Sequence, residues 1–348
     1  MIAPLTPSLS SSVVSFSSTS EGHRLLELEL MHRWSTKTWA GICCIPEQQE
    51  HIQISLPQSA LGNSYLLNGI LAAAAVDLAL SHGENSPSKY FHAALEYSTK
   101  GSADFRTQIS NVTPDNINSL YYFAMMAAMF QFAIPSGGIS VLDRLNIAFD
   151  MLLGSSNIAL SNIKWFSQNY CDFEAVLNYG IASLDILDLD TKIALDRITS
   201  VSQQLGKCPV VETGDTEKKA LTSEEYMYLI TIAQLKNCFA EDVRGFIKGY
   251  CLTLITVAGS GFALASKNSE PLALFIIMHL GVLLDRMARS PTVWWMSDAG
   301  RELVREISEI LERLPVGEIQ DVKEGIWWTR QQVGLPSLVR EIEWFIPS

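Results

Sequence analysis

Clustered carboxylates are the first residues in this chain whose type and spacing could do chemistry. Asp185, Asp188 and Asp190 lie in one short stretch, and class I terpene cyclases hold magnesium against a diphosphate with carboxylates on facing helices. The adjacent aspartate pair of those enzymes is absent here, and no Asn, Ser/Thr and Glu series occurs at matching four-residue steps. Acidic residues are also favoured at the start of a helix by its dipole. We interpret these aspartates as a helix start.

Two histidine–glutamate pairs have spacings that place both side chains on one helix face. His92 and Glu96 are four residues apart, and Glu29 and His32 are three apart, so either pair could act as an acid and a base or bind a metal. A single pair is a weak signal, and structural histidines are commoner. His279 lies inside an apolar run and is predicted to be buried with a polar partner, although a lone polar group in an apolar pocket can also orient a ligand.

The cysteines do not have the spacing of a metal site. They are Cys43, Cys44, Cys171, Cys208, Cys238 and Cys251, with no Cys-x-x-Cys pair, so the spacing of zinc ligands is missing. Neither a Gly-x-Ser-x-Gly motif nor a phosphate-binding glycine loop occurs. We interpret the cysteines as scattered thiols in a reducing compartment, and we predict no catalytic residue, no metal and no cofactor.

The remaining candidates are apolar and adaptable side chains that could line a cavity for a lipid-like molecule. Methionine suits loosely shaped pockets because it is flexible and polarisable, and paired tryptophans are aromatic anchors. The alternative is ordinary core packing, which is the commoner fate of such runs. The predicted ligand-binding residues are Met125, Met126, Met129, Phe275, Met278, His279, Leu283, Trp294 and Trp295.

These residues are expected to lie on helices, because sequence patterns typical of helices follow one another along the chain and patterns typical of strands are few. A face with Leu25, Leu28 and either Met31 or His32 has the spacing of an amphipathic helix. The stretch 65–78 is apolar nearly all round, which is typical of a buried helix. Further helices are predicted over 181–200 and 271–288.

The clearest amphipathic pattern lies near the carboxyl end, with Thr292 as its candidate N-cap. Its apolar residues recur at steps of three and four, with arginines and glutamates on the other side; they are Met296, Ala299, Leu303, Ile307, Ile310 and Leu314. With no β-α alternation and no repeat, the chain is predicted to be all-α. We expect one multi-helix domain over 23–348 and a disordered Ser-rich tail over 1–22.

Composition excludes several classes of protein. Only 18% of the 348 residues are charged, and the net charge is −12, with no block rich in Lys and Arg. Nucleic-acid binding needs a basic face, so direct DNA or RNA binding is not expected. The uncharged run 249–266 just reaches transmembrane length, but Gly259 and Gly261 interrupt it. We predict a buried, broken helix there and no transmembrane segment.

Several stretches resemble the C-terminal regulatory region of fungal zinc-cluster transcription factors, in the subgroup of the sterol uptake control proteins. The matching stretches are 28–38, 56–61, 65–74, 90–94 and 291–295. The resemblance spans about residues 25–330 and implies an all-helical fold that is often dimeric. In sterol-responsive members it also implies a hydrophobic ligand pocket that controls nuclear entry.

The chain departs from that family in one respect. A zinc-cluster module needs six bunched cysteines in a basic segment, and no such segment occurs in the sequence. We therefore expect a regulator-like protein without its own DNA-binding module, in the nucleus or cytoplasm. It would bind a sterol-like or other lipophilic molecule or a partner factor, as a homodimer or a heterodimer with a full-length zinc-cluster factor. The alternative is a cofactor-free cyclase or isomerase of a hydrophobic metabolite that uses the same pocket.

Overall fold

A computed structural model of the chain describes residues 18–81, 87–134, 137–169, 182–209 and 221–338. These residues are helical and contain no strand, so the predicted all-α fold is confirmed. The α-helices are α1 (Ser18–Arg33), α2 (Trp39–Ile42), α3 (Leu56–Ala60), α4 (Ser64–Ser81), α5 (Pro87–Gln108), α6 (Ile117–Ala133), α7 (Val141–Ser161), α8 (Ile163–Asn169), α9 (Leu189–Gln204), α10 (Ser223–Val243), α11 (Ile247–Tyr250), α12 (Thr253–Lys267), α13 (Pro271–Ala288), α14 (Ala299–Arg313) and α15 (Gln320–Gln332).

Helices α4 and α13 form much of the core because both are apolar nearly all round. Every residue of α13 from Leu272 to Leu284 is buried, and α4 buries its alanine run. Helix α14 packs closely on α13, since a Cβ built on Gly300 would lie 2.2 Å from the backbone nitrogen of Asp285. The amphipathic pattern predicted for α14 is confirmed, with Leu303 and Ile307 buried.

The same two helices are long and apolar enough to cross a membrane. The hydrophobic windows of α4 and α13 are, however, 72% and 78% buried inside the fold. Core helices of soluble proteins pass the same test, so length and composition are weak evidence for a membrane span here.

Three local expectations differ from the structure. Leu25 and Leu28 are 62% and 59% exposed, because α1 buries Leu30 and the following Trp34 instead. Helix α14 begins at Ala299 rather than just after Thr292, since turns occupy 291–298. In the predicted helix over 181–200, the α-helix starts only at Leu189 and follows a short 3-10 turn.

Two further expectations concern the break in the uncharged run and the amino-terminal tail. Helix α12 is kinked at Gly259, where φ is 78°, a conformation that glycine adopts without steric cost; the predicted interruption is confirmed. Helix α1 begins at Ser18, so residues 18–22 are helical rather than part of the tail. The disorder predicted for 1–17 and the position of Cys171 lie outside the described residues.

The stretch 28–38, which carries part of the family resemblance, has a structural role. Arg33 donates two hydrogen bonds of 2.8 Å to the Asp77 carboxylate on α4, and the Thr38 hydroxyl donates to the same carboxylate at 2.6 Å. The Trp34 indole is fully buried and donates to the carbonyl of Ile52. These contacts fix α1 and the π-helical turn Trp34–Thr38 against the core.

Candidate functional site

A partly open cavity of about 130 Å³ lies beside a short π-helical turn, His51–Ser55. Such turns are rare and are frequent at functional sites. Helices α2, α6, α7, α11 and α12 supply most of the remaining wall. The residues that line this space, the inner cavity, are Ile42, Cys44, Ile45, Gln48, Ile52, Tyr121, Tyr122, Met125, Leu152, Ser155, Ser156, Phe246, Tyr250, Leu252, Thr253 and Thr256.

Polar atoms in the inner cavity are few and largely satisfied. The hydroxyls of Ser156 and Thr256 share a hydrogen bond of 2.9 Å, and the Ser155 hydroxyl donates to the Leu152 carbonyl at 2.9 Å. The rings of Tyr121 and Tyr122 lie edge to face at 5.3 Å. The wall is thus mostly aromatic and aliphatic, with hydroxyls at its margin, which is the composition of a lipophilic ligand site.

The titratable groups in the wall with shifted pKa values are neutral near pH 7. Burial raises the pKa of Cys44 to about 11 and raises the pKa of Tyr250 above its ordinary value. A general acid or base works best when its pKa lies near the working pH. The inner cavity is therefore suited to binding an apolar group rather than to proton transfer by these two side chains.

A second, more open space of about 410 Å³ adjoins the inner cavity. Cys44 and Ile45 line both spaces, so the segment that follows α2 forms the wall between them. The residues that line this space, the outer recess, are Trp39, Ala40, Cys43, Cys44, Ile45, Pro46, Gln49, Gly245, Lys248, Arg286, Met287, Ser290, Thr292 and Val293.

The outer recess carries positive charge. The Lys248 ammonium donates to the Ala40 carbonyl and, at 3.2 Å, to the Thr292 hydroxyl. Burial lowers the pKa of Lys248 below its ordinary value. Arg286 pairs with Asp242 at 2.9 Å and donates to Gln332 at 2.7 Å.

The predicted methionines divide between the inner cavity and the core. Met125 lines the inner cavity. Met126 and Met129, on the same helix, are buried in the core, where the Met126 methyl group approaches Gly69 of α4. One residue of the predicted run thus belongs to the cavity wall.

The predicted residues of α13 form a separate, tightly packed group. Phe275, Met278, His279 and Leu283 are all buried. His279 Nδ1 lies 2.8 Å from the Phe275 carbonyl, and its ring stacks on Trp328 at 5.8 Å. Its Nε2 has no hydrogen-bond partner among the described residues, and burial lowers the pKa of His279 to about 4. The imidazole is therefore neutral near pH 7.

Trp294 and Trp295 connect the carboxyl-terminal half of the chain to its beginning. The Trp294 indole donates to the Thr38 carbonyl at 3.3 Å, and the Trp295 indole donates to the Gly41 carbonyl at 2.9 Å. A Cβ on Gly41 would lie 2.2 Å from Trp294 Nε1. The pair therefore holds α2, which lines both spaces, while its neighbour Val293 reaches the outer recess.

The aspartates interpreted as a helix start are used in that way. Asp188 caps α9 by accepting hydrogen bonds from the Thr191 backbone nitrogen and hydroxyl, and these bonds lower the pKa of Asp188. Asp190 accepts a 2.6 Å hydrogen bond from the Trp328 indole. In the described part of the chain no three His, Cys, Asp or Glu side chains cluster as metal ligands do, and the described cysteines form no disulfide.

The two histidine–glutamate pairs contact other residues instead of each other. Glu29 accepts a hydrogen bond from the Tyr90 hydroxyl at 2.7 Å, and Glu96 pairs with Lys100 at 2.6 Å. His92 is exposed on α5.

Sequence reasoning missed most of the residues around the two spaces. Tyr121 and Tyr122 precede the methionine run on the same helix, so that adjacency could have identified them. Cys44 and Lys248 carry no local signal, because their position depends on contacts between distant segments.

Comparison with known proteins identifies a relative that aligns with nearly the whole chain. The sequence matches no protein-family model. Over an alignment of 379 residues it is 23% identical to a protein named Zn(2)-C6 fungal-type transcription factor from Gibberella zeae. The alignment covers 97% of this chain and 72% of that protein. This similarity supports a relationship to the fungal zinc-cluster transcription factors and a role like that of a transcription factor.

Proposed function

We propose that this chain is a transcription regulator of the fungal zinc-cluster type whose helical fold binds a small lipophilic molecule in the inner cavity. The inner cavity carries the proposal, since it is lined by Tyr121, Tyr122, Met125 and Leu152 and has few polar atoms. Similarity along nearly the whole chain to a protein named as a transcription factor supports the regulatory role. The site of action is the nucleus, after ligand-controlled entry from the cytoplasm.

The regulator acts through a protein partner, either a second copy or a full-length zinc-cluster factor. The net charge of −12 supports this arrangement, because an acidic chain does not attract DNA phosphates. Ligand binding would then change the fraction of molecules whose conformation can bind the partner protein.

The volume of the inner cavity limits the ligand. A cavity of about 130 Å³ is comparable to one of about 150 Å³ that binds benzene, and a sterol nucleus needs far more room. A sterol-like ligand would need both spaces, with the wall at Cys44 and Ile45 displaced. An apolar group about the size of a benzene ring fits the inner cavity as it stands.

Opposite changes at Met125 test ligand binding in the inner cavity. Met125→Trp fills the space, and Met125→Ala enlarges it, because this side chain lines the wall. We expect an indole-sized apolar probe to bind at least about tenfold more weakly to Met125→Trp. Met125→Ala should bind the probe at least as tightly as the original chain. The measurement is isothermal titration calorimetry with indole, with circular dichroism to confirm that each variant is folded.

The outcome that contradicts the proposal is equal indole affinity in all three proteins, or no binding in any. A complementary measurement is mass spectrometry of small molecules retained by the purified chain, in which Met125→Trp should lose a species that the original chain keeps.

A further inference from the structure

The inner cavity and the outer recess meet at one short segment of the chain. Cys44 and Ile45 line both spaces. The Cys44 backbone nitrogen donates to the Gln48 side chain at 3.3 Å, and its thiol makes contacts of 3.4 Å and 3.8 Å with the carbonyls of Ile42 and Lys248. Ile45 is buried, and its carbonyl accepts a hydrogen bond of 3.1 Å from the Gln48 backbone nitrogen, so a ligand that spans both spaces passes beside Cys44, whose own nitrogen–oxygen contact is longer than most hydrogen bonds.

The outer recess holds a positive charge that no carboxylate of the described residues balances. The described contacts of the Lys248 ammonium are to a carbonyl and a hydroxyl, and no carboxylate in the described ranges forms an ion pair with it. Arg286 is different, because Asp242 neutralises it. A partly buried ammonium without a counter-ion is costly, and an anionic ligand would remove that cost.

Further donors belong to residues that line the same recess. The Trp39 indole lines the outer recess, and its buried N–H has no partner among the residues the structure describes. Ser290 and Thr292 also line the outer recess, and their hydroxyls lie 3.0 Å apart. A carboxylate accepts several hydrogen bonds at once, and bonds between charged partners are about twice as strong as neutral ones.

We propose that the outer recess binds the carboxylate of a small amphipathic acid whose apolar end occupies the inner cavity. The carboxylate contacts the Lys248 ammonium and the Trp39 indole N–H, and the apolar end is about the size of a phenyl ring. This inference rests on the proposed function and names the chemical class of its ligand.

The test compares acids with neutral molecules of the same shape. The probes are phenylalkanoic acids from phenylacetic acid to 6-phenylhexanoic acid, each paired with the alcohol of equal length, in isothermal titration calorimetry near pH 7. We expect the best acid to bind at least about tenfold more tightly than its alcohol, as a charge-assisted hydrogen bond would give. Equal affinities of every acid and its alcohol would overturn the inference.

Substitutions test which side chains cause the preference for acids over alcohols. Lys248→Gln keeps a donor for the Ala40 carbonyl but loses the charge, so the affinity for the acid should fall to that for the alcohol. Trp39→Phe keeps an aromatic ring, loses the indole donor and should weaken binding of the acid more than binding of the alcohol, because the bond to a carboxylate is the stronger one. The matched control is Lys267→Gln, since Lys267 forms an exposed pair with Asp150 and should leave both affinities unchanged.

The result also separates this inference from the proposed function. If acids and alcohols bind equally, and Met125→Trp abolishes both, the inner cavity binds ligands and only the carboxylate assignment fails. If neither class binds to the folded chain, the proposed function fails together with the inference. If Lys248→Gln does not fold, Trp39→Phe decides the assignment alone.

Discussion

His279 shows how a buried side chain makes the stability of this protein depend on pH. Its imidazole is fully buried between Phe275 and Trp328, and burial lowers its pKa from 6.5 to about 4. The unfolded chain binds a proton near pH 6.5, while the folded chain stays neutral. The free energy of unfolding therefore falls as the pH drops from about 6.5 to 4, by up to about 3 kcal/mol from this residue.

Replacing this residue should remove part of the pH dependence. We expect His279→Leu to lose less stability between about pH 7 and pH 5 than the original chain does, because no imidazole remains to be protonated. Urea unfolding at both pH values measures the difference. The control is the same substitution at exposed His92, which should leave the pH dependence unchanged. An unchanged slope in His279→Leu would show that His279 is not responsible.

Cys44 reports on the wall between the inner cavity and the outer recess. Burial raises the pKa of its thiol to about 11, so only about one molecule in a thousand carries the thiolate near pH 8. We expect iodoacetamide to alkylate Cys44 slowly in the folded chain, with a rate that rises about tenfold per pH unit. Peptide mass spectrometry measures the rate, and the urea-unfolded chain is the reference. Equal rates in the folded and unfolded chains would contradict the raised pKa of Cys44.

Among the helices, periodicity predicted α13 well and α1 poorly. Helix α13 matches its predicted bounds, because Pro271 is favoured at the first position of a helix and the apolar run after it is stable as a helix buried in the core. In α1, leucines occur on more than one face, so spacing alone could not decide which face is buried. The fully buried Trp34 and the pairing of Arg33 with Asp77 decide it, and they leave Leu25 and Leu28 outward.

The crossing of α13 and α14 depends on a glycine. A Cβ on Gly300 would lie 2.2 Å from the Asp285 nitrogen and 2.6 Å from the Gly281 carbonyl oxygen, so both helices would have to move apart. We expect Gly300→Ala to lower the free energy of unfolding by about 1–3 kcal/mol, the usual cost of overpacking. Denaturant unfolding measures it.

The matched control for that substitution lies in α7. Gly154 is helical, and a Cβ there meets no atom within 4 Å. Gly154→Ala should be neutral or should stabilise the chain by about 0.5–1 kcal/mol, because alanine favours helix. Equal losses in the two variants would mean that the close approach at Gly300 does not limit packing.

For the molecule as a whole, the net charge predicts how the chain behaves toward DNA. With a net charge of −12, the purified chain should not shift double-stranded DNA in a gel, because phosphate binding requires a basic face. A mixture with a full-length zinc-cluster factor should shift DNA if the proposed heterodimer forms. A salt-sensitive shift by the chain alone would contradict the proposed dependence on a partner.

Deletion of the gene distinguishes a regulator from an enzyme. Altered transcript levels with no accumulated precursor are expected for a regulator. Unchanged transcripts with an accumulated hydrophobic precursor would instead support a cyclase or isomerase that uses the inner cavity.

The sequence by itself determined the helical class, the burial of α4 and α13 and the break at Gly259, because each follows from local composition, periodicity or backbone freedom. Tertiary structure decided the candidate site. Of the methionine run, Met125 alone lines the inner cavity, since neighbouring positions on α6 face different directions. Lys248 acquires its place through contacts with Ala40 and Thr292, residues 208 and 44 positions away. Local sequence patterns do not predict such contacts, because packing brings the segments together only in the folded chain.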